Sequence, residues 1–288
     1  MNRTRRKLIL ALAAAAVPGM AGSAQTRGLE MPAVRIGLTP VFLNDQMGFL
    51  LAWKDYLESQ LRRPVEFVQR QTYKGILDLL LGGRLDFAWI CGYPYVRNRA
   101  QLQLVAVPVF NGKPLYQSYL IVPAEDRNTM SLETLRGKVF AFSDPDSNSG
   151  HLYIQYLLHG MGETPATFFS RTFFTSAHRK VVEAVAAGVA QGGAVDGYVW
   201  ETLIGLQPDL TNATRVAARS PYFGHTPFVA RLDVAAGDLT AMQAVLLRME
   251  NSLQGQSLLH RLNLDRFIPG EPKLFDGIAH MMRVVHGG

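Results

Sequence analysis

The chain has 288 residues, 48% of them hydrophobic, with 29 basic residues, 23 acidic residues and a single cysteine. That length supports one large core or two modest ones, and one cysteine excludes an intrachain disulfide framework. The formal charge of +6 overstates the basicity of the folded part, because residues 1–24 hold four of the basic residues and no acidic one; 25 against 23 remain, or +2, which removes the charge argument for a nucleic-acid-binding protein and suits a small anionic ligand.

The N-terminus reads as an export signal. Arg3, Arg5, Arg6 and Lys7 precede an apolar run from Leu8 to Val17, too short to span a bilayer. Pro18-Gly19 breaks the run, and Gly22-Ser23-Ala24 offers small residues for cleavage. The Arg5-Arg6 pair suits the twin-arginine route, and the basic start equally suits a Sec signal. About 264 residues then remain as a soluble periplasmic protein, with no later run long enough to cross a membrane and no cysteine after the signal to carry a lipid.

Beyond residue 33 the pattern alternates strand and helix. Val34–Leu38 reads as a strand, Asn44–Leu61 as a helix, Pro64–Val68 as a strand and Tyr73–Leu81 as a helix closed by Gly82-Gly83. Leu85–Ile90, Leu104–Val109 and Ser118–Val122 read as strands, with a turn at Asn111–Pro114. Ser131–Leu135 has the form of a short capped helix before a strand at Lys138–Phe142. A helix runs from Ser149 to Gly160 or Gly162, followed by a strand at Arg171–Phe174, a helix at His178–Ala187 and a strand at Ala194–Val199. Phe228–Arg231 is a further strand, and Leu239–Leu253 and Gly255–Leu262 are the last helices. Such alternation predicts an α/β fold built from βαβ units.

Residues Tyr73–Gly83 align without gaps on His178–Gly188, 105 positions on, with an apolar strand after each copy. A competing register pairs Gly82–Asp86 with Gly192–Asp196 but needs insertions. The gap-free register predicts two lobes, each a small α/β sheet, with like elements facing a cleft. Ligands of open α/β sheets sit beyond the carboxyl ends of the strands, where Tyr73, Ser147, Asn148, Ser149, His178 and Asp196 all fall.

The segment Phe142-Ser143-Asp144-Pro145-Asp146-Ser147-Asn148-Ser149-Gly150 carries the most chemistry. An apolar strand ends there, and a helix begins with Ser-Asn-Ser-Gly. A helix start presents unpaired N–H groups and a positive dipole end, a site made for an anion. The same residues also serve as ordinary N-caps. Cys91 fits a small buried hydrophobe better than a nucleophile. The histidines show no metal-ligand spacing, so neither metal nor cofactor is assigned.

With Thr72-Tyr73-Lys74-Gly75, Leu85–Trp89 leading to Tyr95-Val96, Phe173–His178, Ala194-Val195-Asp196, Pro227–Arg231 and Phe267-Ile268-Pro269, the chain resembles the periplasmic phosphonate-type solute-binding proteins of ABC importers over nearly all of residues 33–270. The resemblance implies a two-lobed, type II (Venus flytrap) periplasmic-binding fold, with 33–115 and 231–288 forming lobe 1 and 116–230 lobe 2. It implies a non-enzymatic monomer that hands a small phosphonate or phosphorus oxyanion to an inner-membrane ABC permease. By position, Ser147, Asn148 and Ser149 would donate to the phosphonate oxygens, Tyr73 and Tyr95 would add phenol donors, and His178 would cap its own helix and donate from the imidazole. Asp196 would accept from a protonated oxygen or a cationic group. The sequence departs from the family's pattern at Asn148, where threonine is usual, and at Cys91–Pro94, where a Gly-Pro turn is usual. The rival readings are a same-fold receptor for another anion such as a sulfonate, feeding a signalling or different transport partner, and a secreted hydrolase using Cys91, for which no nucleophile motif speaks.

Overall fold

The computed structural model describes residues 32–40 and 47–287. The expected export signal and residues 44–46 of the first expected helix lie outside these. Among the described residues thirteen strands follow in chain order: β1 (Val34–Leu38), β2 (Val65–Gln69), β3 (Phe87–Trp89), β4 (Leu102–Val109), β5 (Leu115–Tyr116), β6 (Ser118–Pro123), β7 (Val139–Phe142), β8 (Arg171–Phe174), β9 (Gly192–Asp196), β10 (Thr214–Arg219), β11 (Phe223–Gly224), β12 (Phe228–Arg231) and β13 (Arg266–Ile268).

They form a six-stranded sheet in the order β13-β4-β12-β3-β1-β2, a five-stranded sheet in the order β10-β6-β9-β7-β8, and the small β5–β11 pair. In the first sheet β1 runs parallel to β2 and β3, and β12 is antiparallel to β3 and β4. In the second, β7 runs parallel to β8 and β9, and β6 is antiparallel to β9 and β10. Both sheets therefore share one plan, a βαβαβ unit with an antiparallel strand beside its third strand. The extra strand has a different origin in each: β12 returns to the first sheet after the whole second unit, and β6 directly precedes the unit it joins.

The central strands are buried on both faces, so they read as apolar runs rather than alternating ones. Around the first sheet the Met47–Leu61 helix brings in Trp53, fully buried, whose ring stands 5.9 Å from Trp89, and Trp89 lies 5.9 Å from Phe267. Phe87 and Trp89 are core residues, and the Trp89 indole donates to the Thr226 carbonyl at 3.0 Å. The second sheet is covered by Phe140, Phe142, Phe168 and Phe169, with Phe140 and Phe169 stacked at 4.5 Å. Full burial of such side chains contributes about 1.5–3 kcal/mol each.

Several elements differ from the expectation. The strand expected at Ala194–Val199 stops at Asp196, and a helix runs from Gly197 to Leu206, because the Asp196 side chain accepts the Tyr198 N–H and caps it. The Cys91–Pro94 turn opens a helix, Gly92–Asn98, with Pro94 tolerated in the first turn. The short helix expected at Ser131–Leu135 forms as a 3-10 helix, Leu132–Leu135, but Ser131 at its cap position makes no side-chain cap bond. The expected Leu239–Leu253 helix is Ala236–Leu247, and Leu253 instead opens the next helix, to Arg261, capped by Ser252. Strand β10 and the Asp276–His286 helix complete elements that no local signal marked.

Candidate functional site

The polar residues converge at the carboxyl ends of the parallel strands. Tyr73 follows β2, Cys91 follows β3, Ser147–Ser149 follow β7, His178 follows β8 and Asp196 ends β9. The helix after β7 does not begin as a regular α-helix. Leu152 N donates to the Ser147 carbonyl at 3.0 Å, a wide i→i+5 turn, before regular helix runs from Tyr153 to Gly160. Wide turns of this kind re-aim backbone groups, and they recur at functional sites. Ser147 caps the turn, its hydroxyl accepting the Gly150 N–H at 3.0 Å. Gly150 has no alternative: a β-carbon there would fall 1.9 Å from Ser143 Oγ and 3.1 Å from His178 Cε1.

Ser147, Asn148 and Ser149 are all within 1% of full burial. The Asn148 amide donates to the Tyr116 phenol oxygen at 2.9 Å, and its backbone N–H points at Cys91 Sγ at 3.3 Å. The Ser149 carbonyl accepts from Ser118 Oγ at 2.7 Å. Ser149 Oγ approaches the Tyr116 phenol without a hydrogen bond of ordinary geometry. Among the described residues Ser149 Oγ, Ser143 Oγ and Asn148 Oδ1 have no partner, and neither does His225 Nε2, whose ring lies 5.5 Å from that of Tyr116. Buried polar atoms without partners are costly, so four in this neighbourhood mark a place where polar groups are held for something else.

His178 does not cap its own helix. Ala177 stands at that cap without a side-chain bond, and His178 Nδ1 instead accepts the Asp196 backbone N–H at 3.1 Å. The imidazole proton therefore sits on Nε2, and burial pushes the ring pKa down to about 3, so it stays a neutral donor. Burial pushes the Asp196 carboxyl up to about 7, against the lowering pull of the Tyr198 and Val199 N–H groups. Tyr73 and Tyr116 are held well above the ordinary phenol value, first by burial and then by Cys91 and the nearby carboxylates. The site thus presents neutral donors, a helix start and one carboxyl group that changes charge near neutrality. Directed donors of this kind are what an oxyanion needs when it leaves water.

Of the residues named from the sequence, the fold brings Tyr73, Ser147, Asn148, Ser149, His178 and Asp196 to this one region. Tyr95 lies elsewhere: its ring packs edge-on against Phe275 at 4.8 Å, and its phenol senses Arg99. Helix Gly92–Asn98 turns Tyr95 toward that aromatic contact, a rotation the expected loop did not contain. Tyr116 was missed. It lies in β5, where no capping or strand-end signal marks it, and only the pairing of β5 with β11 carries it to Asn148. Burial drives the Cys91 thiol up to about 11, which leaves it protonated and a poor nucleophile. Among the described residues no cluster of three or more His, Cys, Asp or Glu could hold a metal, and no helix is long and apolar enough to cross a membrane.

Residues 36–275 match the family model described as the periplasmic substrate-binding protein of phosphonate ABC transporters. A phosphate-import protein of Mycolicibacterium smegmatis is 28% identical over 159 residues, which is 51% of this chain and 48% of that protein, so the match spans about half the length of that relative. The binding-protein component of an ABC phosphonate transporter from Pseudomonas aeruginosa superposes with a TM-score of 0.81 at 21% identity, covering 88% of this chain and 86% of that one. A Prochlorococcus marinus protein solved with methylphosphonate superposes with a TM-score of 0.79 at 22% identity, covering 87% and 97%. At these identities the two superpositions show a common fold.

Proposed function

The chain belongs to the family of periplasmic substrate-binding proteins of phosphonate ABC transporters, and from that premise we propose that it is a non-enzymatic receptor that captures a small phosphonate or phosphorus oxyanion and delivers it to an inner-membrane ABC permease. The observation that carries this reading is the buried start of the Asn148–Gly160 helix, with Ser149 Oγ unpartnered among the described residues and His178 and Asp196 beside it. The oxyanion lies on the Ser149–Gly150 backbone and takes hydrogen bonds from the Ser149 hydroxyl, the His178 Nε2–H and the Tyr73 and Tyr116 phenols. Asp196 accepts from a ligand oxygen that keeps its proton, which disfavours a full dianion. The methylphosphonate held by the Prochlorococcus protein is the ligand class this arrangement fits.

Closure about that ligand joins two lobes, residues 33–115 with 231–288 and residues 116–230, and the export signal is removed near Ala24 to leave a periplasmic monomer. The Cys91 thiol, held protonated and bonded by the Asn148 N–H, supports a structural role there.

The test is a thermal-shift panel of phosphite, methylphosphonate, aminoethylphosphonate, phosphate and sulfonates on the mature protein. A true ligand at 100 times its dissociation constant stabilises the fold by about 2.7 kcal/mol. Stabilisation by a sulfonate with silence from every phosphorus compound would replace the ligand assignment.

A further inference from the structure

The segment that forms the anion site also bridges to the other sheet, residue by alternate residue. Asp144 Oδ2 accepts the backbone N–H of Tyr73 at 3.1 Å. Asp146 Oδ1 accepts from Arg97 at 2.8 Å. Asn148 N–H reaches Cys91 Sγ at 3.3 Å. All three partners belong to elements that follow strands of the first sheet, and all three bridging residues follow β7 of the second. The residues between and after them do something else: the Pro145 carbonyl meets His151 Nδ1 at 2.9 Å, Ser147 caps the helix, and Ser149 Oγ has no partner among the described residues.

We propose that Asp144, Asp146 and Asn148 form a closure clasp, in which the Arg97–Asp146 pair is a positioning contact that sets the balance between a closed and an open arrangement of the two sheets without itself touching the ligand. That a ligand occupies the closed arrangement rests on the function proposed above; the clasp itself does not. Its parts differ in kind. Asp144 serves the start of the Tyr73–Leu81 helix as a carboxylate at a helix N-terminus, a favourable placement for negative charge. Arg97 is held in place by the Tyr93 ring, 5.2 Å from its guanidinium, and by Asp146, whose side chain is 12% exposed against 39% for Arg97. A charged pair bridging two bodies at a rim acts on their separation more than on the folding of either.

Cys91, the single cysteine, reports the clasp directly. Its sulfur is buried beneath the Asn148 N–H, so a thiol reagent meets it only when the two sides part. The experiment measures the rate of Cys91 alkylation by iodoacetamide in ligand-free mature protein, for the wild type, Arg97→Gln, Asp146→Asn and the double variant, with urea midpoints alongside. Each single substitution is expected to raise the rate about threefold to tenfold, the double variant no further than the faster single, with urea midpoints unchanged. Unchanged rates, effects that multiply in the double variant, or rates that rise in step with a loss of global stability would each overturn the clasp. Methylphosphonate added to the wild type reads the other question: no slowing of alkylation counts against the ligand assignment and leaves the clasp result standing.

Discussion

His178 Nδ1 accepts the backbone N–H of Asp196 at 3.1 Å, so the ring that follows β8 fixes the end of β9, and the tautomer of one site residue is set by the position of another. The imidazole thereby does two separable things. Its Nδ1 satisfies a buried N–H, and its Nε2–H is the donor that the proposed function gives to the ligand.

His178→Ala loses both and His178→Asn only the second, since an Asn carbonyl oxygen sits close to the Nδ1 position. Urea unfolding of the alanine variant is expected to show a loss of about 1–3 kcal/mol from the stranded N–H, largely restored in the asparagine variant. Methylphosphonate affinity measured by calorimetry is expected to fall about tenfold or more in both. An asparagine variant that binds like the wild type removes His178 from the donor set.

Asp196 gives a pH signature. Burial raises its folded value to about 7 from the ordinary carboxylate value of 3.8, so the folded state takes up a proton. That contribution is complete below the unfolded value and is lost as the pH rises through 7. His178 and His225, both pushed down to about 3 by burial, act in the opposite direction, losing stability as the pH falls below their unfolded value; they cancel when variants at Asp196 are compared. Asp196→Asn keeps an oxygen for the Tyr198 N–H cap. Relative to the wild type it is expected to gain on the order of 2–4 kcal/mol between pH 5 and pH 8, read by denaturant titration at both ends. Wild-type affinity for methylphosphonate is expected to fall over the same range, as the proton held between Asp196 and the ligand oxygen is lost and two negative charges are left facing each other. A flat difference between the two proteins would mean that Asp196 is ionised throughout.

Ser147 and Ser149 are two residues apart and chemically identical, yet their substitutions should separate. Ser147→Ala removes the hydroxyl that accepts the Gly150 N–H and is expected to cost about 0.5–2 kcal/mol of stability. Ser149→Ala removes a buried hydroxyl with no partner among the described residues, so stability is expected to hold or rise slightly while affinity falls at least about tenfold. Unfolding and binding measured on the same two variants give the contrast. A Ser149→Ala protein that loses stability instead would show the hydroxyl to be structural.

Much of this arrangement was legible in the sequence, where local rules act. The Tyr73 and His178 helices end alike: Gly82, Gly83 and Arg84 donate to the Asp78, Leu80 and Leu79 carbonyls, and Ala187, Gly188 and Val189 donate to those of Glu183, Val185 and Ala184. Gly83 and Gly188 both carry positive φ, +68° and +71°, which makes the 105-residue register a structural equivalence. Glycine at that position is a local requirement, so an alignment could find it. Tyr116 and Tyr95 show the limit. Tyr116 reaches Asn148 only through a strand pairing with Phe223-Gly224 more than a hundred residues on, and Tyr95 is turned away by a helix whose start carries no capping side chain. Both are tertiary facts with no mark in the surrounding residues. Likewise Asp196 was placed correctly at a strand end, but the helix it caps was read as more strand, because Gly197-Tyr198-Val199 is apolar enough for either.

Gly150 tests whether the shape of the helix start matters as much as its donors. A methyl group there would collide with Ser143 Oγ at 1.9 Å and Ser143 Cβ at 2.8 Å, and it would press on His178 Cε1. Ser143 ends the loop side of β7, and its backbone N–H is bonded to the Gly150 carbonyl at 3.4 Å, so neither can retreat without moving the other. Gly150→Ala is therefore expected to destabilise the protein by about 1–3 kcal/mol, as overpacking in a dense region does. It should also abolish methylphosphonate binding, because the turn that carries the Ser149 amide and hydroxyl must shift. Gly160→Ala, where the added methyl group meets nothing within 4 Å, is the control, and it should leave affinity unchanged. Equal affinities in the two variants would mean that the anion does not lie against the Ser149–Gly150 backbone.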